Sequence, residues 1–80
     1  MSGIIELDLH GKNVFQAQVA IDAVLRRAKA GTYRIRIIHG YNSGTEIRNF
    51  IREHYTLDDR IKRIQSGLNP GITELVLREF

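Results

Sequence analysis

From Ile4 to Leu9 apolar and polar residues alternate, with Ile5, Leu7 and Leu9 on one side and Glu6, Asp8 and His10 on the other. That period of two belongs to a half-buried strand, which the sequence ends at His10-Gly11. Asn13 has the side chain of a helix N-cap, and Val14, Ala17, Ile21, Leu25 and Ala28 then recur at helical spacing. A helix is predicted over Val14 to Ala30, stopped by Gly31 in a left-handed conformation. Arg26, Arg27 and Lys29 meet the negative end of its dipole.

Tyr33 to Ile38 is β-branched and aromatic, with Arg34 and Arg36 alternating against Tyr33, Ile35 and Ile37, and predicts a second strand that ends at His39-Gly40. Ser43 and Glu46 have the spacing of a capping box. Ile47, Phe50, Ile51 and His54 or Tyr55 form the stripe of a second helix, Gly44 to Tyr55. Thr56 to Arg60 reads as a loop, Ile61 to Ser66 as a third strand, Gly67-Leu68-Asn69-Pro70-Gly71 as a turn and Ile72 to Arg78 as a fourth strand.

The order βαβαββ, with right-handed crossovers, predicts a single domain over residues 1–80. Its fold class is α/β: a two-layer α/β sandwich, with a four-stranded mixed sheet and two helices on one face. Strands one, two and three run parallel and strand four antiparallel. The uncovered sheet face would carry Glu6, Asp8, Arg34, Arg36, Glu74 and Arg78, whose mixed signs favour cross-strand ion pairing over a nucleic-acid platform.

Composition adds little to this frame. With 42% hydrophobic and 26% charged residues the 80-residue chain is an ordinary globular domain. The lack of cysteine removes disulfides, thiolate nucleophiles and cysteine-based zinc sites. No apolar run has the length of a membrane helix, and Met1-Ser2-Gly3 carries no signal-peptide pattern, so a cytoplasmic location is expected. The net charge of +3 hints only weakly at nucleic acid, although nine of the twelve basic residues are arginine, which pairs bidentately with phosphate.

Candidate chemistry collects where the two parallel strands end. In open α/β sheets ligands gather at the carboxyl ends of strands, and here both end in His-Gly. The helix N-termini near Lys12 and Asn13 and near Ser43 and Gly44 point their free amides at the same edge, a means of holding phosphate. Gly11, Gly40 and Gly44 permit positive φ and close backbone approach there. Imidazoles as a class titrate near neutrality, so His10 and His39 have the makings of an acid–base pair for phosphodiester cleavage, against the plainer alternative of two structural histidines. Asp8, of the same parity as His10, is a partner for its imidazole, a metal ligand or half of a structural ion pair. Only Asp8, His10 and His39 offer themselves to a divalent metal, and with no zinc-type spacing a metal is not indicated. Tyr41 is placed to stack on a base or to pack on its own loop, and His54 reads as a solvated surface residue.

Leu7-Asp8-Leu9-His10-Gly11 resembles the Leu-Asp-Leu-His-Gly motif of Smr domains, the small MutS-related modules. Ile38-His39-Gly40-Tyr41-Asn42-Ser43-Gly44, followed by Ile47-Arg48, resembles their His-Gly-x-Gly-x-Gly segment. The likeness runs from about Ile4 to Leu77. It implies a fold similar to the C-terminal domain of translation initiation factor three. It also implies binding of DNA or RNA and nicking or endonuclease activity, a hydrolase role. On that resemblance Asp8, His10 and His39 are the candidate catalytic residues, and Gly11, Lys12, Gly40, Tyr41, Asn42, Ser43, Gly44 and Arg48 the candidate nucleic-acid contacts. The chain departs from the family pattern where Asn42 replaces the middle glycine, where Tyr41 stands in place of a frequent lysine, and in one extra residue before Ile47-Arg48. The loop therefore loses a cation, which weakens its hold on phosphate. The expected function is weak phosphodiester cleavage on bound nucleic acid; the alternative is a non-catalytic nucleic-acid-binding or protein-interaction module on the same scaffold.

Overall fold

The computed structural model describes residues 3–41 and 45–79. Its elements follow in the order β1 (Ile4–Asp8), α1 (Val14–Arg27), β2 (Arg34–Ile38), α2 (Thr45–His54), β3 (Arg63–Ser66) and β4 (Ile72–Val76). The sheet order is β1-β2-β4-β3. β1 pairs parallel with β2, and β4 lies antiparallel between β2 and β3. β1, β2 and β3 therefore share one direction and β4 opposes them, as the crossover argument requires. Both crossovers move the same way across the sheet, so α1 and α2 lie on one face and run parallel to each other.

The register sorts the two faces. Ile5, Leu7, Ile35, Ile37, Thr73, Leu75 and Ile64 stand in rows facing the helices. Against them pack Ala17, Ile21, Val24 and Leu25 of α1 and Ile47 and Ile51 of α2, all buried. A buried isoleucine stabilises by roughly 1.5–3 kcal/mol over its exposed state, so this interlayer core dominates stability in a chain of this size. Tyr55 joins the helices at their far end: its ring is buried and its hydroxyl donates to Asp22 Oδ1 at 2.6 Å. Burial, with Asp22 beside it, pushes the Tyr55 phenol well above its ordinary range. His54 is exposed and stacks on Phe50.

Local chemistry explains where α1 starts. Asn13 Oδ1 accepts from the Gln16 amide at 2.7 Å while Gln16 Oε1 accepts from the Asn13 amide at 3.0 Å, a reciprocal cap. Its end differs from the expectation. The helix stops at Arg27, Ala28 is already extended (φ −63°, ψ 129°), and a turn from Lys29 to Thr32 leads to β2. Gly31 is not left-handed; among the described residues only Gly11 and Gly40 have positive φ. The chain leaves the helix early because Tyr33 must return to the start of β1, where its amide donates to Gly3 O at 2.8 Å. β3 begins at Arg63 rather than at Ile61, which is buried from a loop position, and β4 ends at Val76 rather than at Arg78. The Ser43–Glu46 cap and a helix start at Gly44 lie outside the described residues.

The uncovered face is organised by one carboxylate. Glu74, 4% exposed, accepts from Arg36 Nε at 3.0 Å and Gln65 Nε2 at 3.0 Å, and Arg34 Nη1 lies 3.3 Å away. Arg36 also reaches Glu6 at 3.7 Å. Cross-strand ion pairing thus links β1, β2 and β4, and the Gln65 amide adds β3 through a hydrogen bond. Burial alone would raise the Glu74 pKa, but the hydrogen bonds from Gln65 and Arg36 and the two guanidinium charges outweigh it and hold the carboxyl below its ordinary value.

Because that pKa is depressed, the stabilisation is present at neutral pH and is lost as pH falls through the carboxylate range. Glu74→Ala is expected to lose about 2 kcal/mol at pH 7, the scale of hydrogen bonds to a charged group, or on the order of 10 °C in melting temperature. The gap between parent and variant in thermal unfolding should narrow below pH of about 4; an equal gap at pH 7 and pH 3 would contradict the assignment.

Candidate active site

The carboxyl ends of β1, β2 and β3 and the start of β4 all lie at one edge of the sheet. Three loops therefore converge there: His10–Asn13, the segment after His39, and the β3–β4 turn from Gly67 to Gly71. The sequence marks that third loop as a turn between the last two strands, which resembles the closing glycine loop of Smr domains. Its place at the site follows from β3 being parallel to β1 and β2, a direction already implied by the crossovers.

The first His-Gly turn is open to solvent. Leu9 continues the ladder by donating to Ile38 O at 2.8 Å, and the Lys12 amide closes a turn onto Leu9 O at 3.0 Å. Gly11, at φ +80°, lets the chain reverse into α1, and since a Cβ there would meet nothing within 4 Å the requirement is conformational, not spatial. His10 is exposed on this turn. Its amide donates to Asp8 Oδ1 at 3.1 Å and its Nδ1 lies 3.9 Å from the same oxygen. Asp8 thus holds the backbone of the turn and lies beside the exposed ring.

The second His-Gly turn is built in the opposite sense. His39 is 2% exposed. Its Nδ1 lies 3.0 Å from Gly40 O, which can only accept, so Nδ1 carries the proton; Nε2, 2.8 Å from Thr73 Oγ1, accepts from that hydroxyl in the neutral ring. Burial lowers the His39 pKa, the bond to Gly40 opposes this, and the charges of Arg48 and Arg52 lower it further. The amides of His39 and Gly40 both donate to Gly71 O, at 2.9 and 3.0 Å. A Cβ on Gly71 would stand 3.3 Å from the Gly40 backbone, so the two segments touch main chain to main chain.

The histidines that the sequence pairs therefore arrive at the same edge in unlike settings. Gly40, at φ +85°, abuts His10: a Cβ there would lie 4.0 Å from that of His10. His10 faces solvent, whereas both His39 nitrogens are engaged internally, which suits positioning the loop rather than exchanging protons with a ligand. Lys12 is exposed, Tyr41 is 62% exposed with its carbonyl accepting from Thr45 Oγ1, and Arg48 is half-buried on α2. Asn42, Ser43 and Gly44 lie outside the described residues. Thr73 and Gly71, which hold His39, were not singled out from sequence; nothing in the sequence marks a threonine on β4 as the partner of a histidine on β2. Among the described residues no three His, Asp or Glu side chains gather where a metal ion would be held.

A four-stranded α/β sandwich with His-Gly turns closing β1 and β2 defines the class. The family model described as Smr domain matches residues 7–70, and the chain belongs to that family. It is similar to the crystal structure of the Smr domain of Thermus thermophilus MutS2, with a TM-score of 0.81 and 31% identity, over 94% of this chain and 99% of that one. No curated protein is matched in sequence.

With its pKa depressed, His39 is neutral in the fold, and the unfolded chain binds more protons as pH falls below about 6.5. Stability should therefore be constant above pH of about 7 and decline toward pH 5. In His39→Gln that decline should flatten, and NMR of the parent should show a His39 ring with the Nδ1–H tautomer, titrating below the ordinary imidazole value. A His39 that titrates above 6.5 would overturn this assignment.

Proposed function

We propose that this Smr domain binds DNA or RNA at the edge where β1, β2 and β3 end and cleaves a phosphodiester there, with His10 as the proton-transfer group. The observation that carries this reading is the exposed His10 imidazole, set by Asp8 and lying against the positive-φ backbone of Gly40. Lys12 and Arg48 supply cations for phosphate, and the amides at the start of α1 add donors. In the step, a hydroxyl oxygen attacks phosphorus and passes its proton to His10 Nε2. The bond to the leaving oxygen breaks, and the imidazolium returns a proton to that oxygen. One imidazole serves as base and then as acid, with His39 holding the loop beside it. Asp8 steadies the imidazolium between the two transfers.

A second reading, a binding module without catalysis, is favoured by one observation: the second histidine, which a two-histidine mechanism needs, is buried and internally bonded.

Nicking of supercoiled plasmid and cutting of labelled RNA separate the readings. His10→Ala should slow cleavage by about 10² to 10⁴ fold with binding nearly unchanged, and Asp8→Asn should slow it less. If Asp8 instead holds a metal, chelator and Asp8→Asn should abolish activity alike. A parent protein that binds but does not cut leaves the binding module, and cleavage undiminished in His10→Ala removes His10 from the mechanism.

A further inference from the structure

The large apolar side chains that the fold leaves in water are distributed unevenly. Among the described residues these are Phe15, Val19, Tyr41, Leu57 and Leu68. Phe15 (72% exposed), Tyr41 and Leu68 (89% exposed) sit on the three segments that meet at the candidate site: the first turn of α1, the loop after Gly40, and the β3–β4 turn. None contributes to the core.

The flank that Phe15 occupies is fixed by the Tyr55–Asp22 hydrogen bond between the helices. Phe15 lies two turns before Asp22 on α1, and Arg48 two turns before Tyr55 on α2, each on the flank that faces the other helix. Both helices begin at the site edge, so Phe15 and Arg48 border the groove between them where it opens there. Among the described residues neither Arg48 nor Lys12 has a carboxylate within ion-pair distance.

The edge is thus a rim of three apolar groups interspersed with two uncommitted cations. The carboxylates of Asp8 and of the exposed Glu46 in the first turn of α2 offset two of the three cations nearby, Lys12, Arg48 and Arg52, and leave only a small positive excess. Electrostatics alone therefore gives a polyanion little affinity here, and apolar contact must supply the rest. A duplex presents phosphates outward and keeps its base faces stacked, so Phe15, Tyr41 and Leu68 gain nothing from its backbone. Unpaired bases offer π faces to aromatic side chains and gaps to an aliphatic wedge, with phosphates spaced for the cations. We infer that the rim formed by Phe15, Tyr41 and Leu68 selects unpaired nucleotides, their bases stacking on the two aromatic rings while Lys12 and Arg48 take the adjoining phosphates. The inference rests on the proposed function and specifies its substrate: single-stranded segments, whether free strands or the unpaired parts of branched nucleic acid.

The test titrates the whole chain with a fluorescein-labelled single-stranded oligonucleotide and with a blunt duplex of equal length. The single strand should bind more tightly. Phe15→Ala and Tyr41→Ala should each weaken it by roughly 5- to 100-fold, with Leu68→Ser acting in the same direction, and the duplex should lose much less. All three positions are exposed, so unchanged thermal unfolding is expected and separates lost contact from lost fold. The chain has no tryptophan, and Phe15→Trp therefore supplies a single reporter whose emission should be quenched by the single strand and not by the duplex. Tighter binding of the duplex, or rim variants that bind the single strand like the parent, would overturn the inference while leaving the proposed function standing. Absence of binding to either nucleic acid would overturn both.

Discussion

A buried imidazole must have both ring nitrogens satisfied, since an unpaired polar atom in a core costs on the order of 1–3 kcal/mol. His39 meets that demand with two partners from different places: the carbonyl of the next residue and the hydroxyl of Thr73 on the neighbouring strand. The end of β2 is thereby tied to the start of β4. The Gly71 carbonyl, receiving two amides from the same turn, ties it again through the backbone. The path of the chain beyond Gly40, and so the wall against which His10 rests, depends on this joint. A polar residue at a core position here fixes one geometry where an apolar one would permit several.

The fold was legible because each element carries its own periodicity. Ile5, Leu7 and Leu9 announce a strand, Ala17, Ile21 and Leu25 a helix, and the order of elements with one handedness rule sets the strand directions and the helix face, though not the insertion of β4 between β2 and β3. What failed locally did so where tertiary contact overrides a local signal. Gly31 reads as a helix stop, yet α1 ends before it because Tyr33 is held at Gly3. Ile61 reads as strand because it is apolar, but it is buried from a loop that leads into β3.

The candidate site was legible as a place more than as a mechanism. Two His-Gly pairs at the ends of adjacent parallel strands identify the edge without any structure. They cannot reveal that one ring points into solvent and the other into the core, because that difference depends on Thr73 and Gly71, more than thirty residues along the chain from His39. The cross-strand pairing of the open face was easier to foresee, since alternating opposite charges on neighbouring strands have few other partners. Glu74 could be recognised as a partner of the arginines, but not as the buried centre of their network.

At the edge away from His10, β1 sets out and β4 finishes, with Gly3 O accepting from Tyr33 and Leu77 and Arg78 donating to Tyr33 O. Both ends of the described chain therefore leave from the side of the sheet remote from the convergent loops. Anything covalently attached at either end, whether a flexible linker, an affinity tag or an immobilising surface, would hang below the sheet and leave the histidine edge facing outward. The domain is built like a plug whose lead comes out of the back: it can be tethered from either end with its contacts still free to meet a strand.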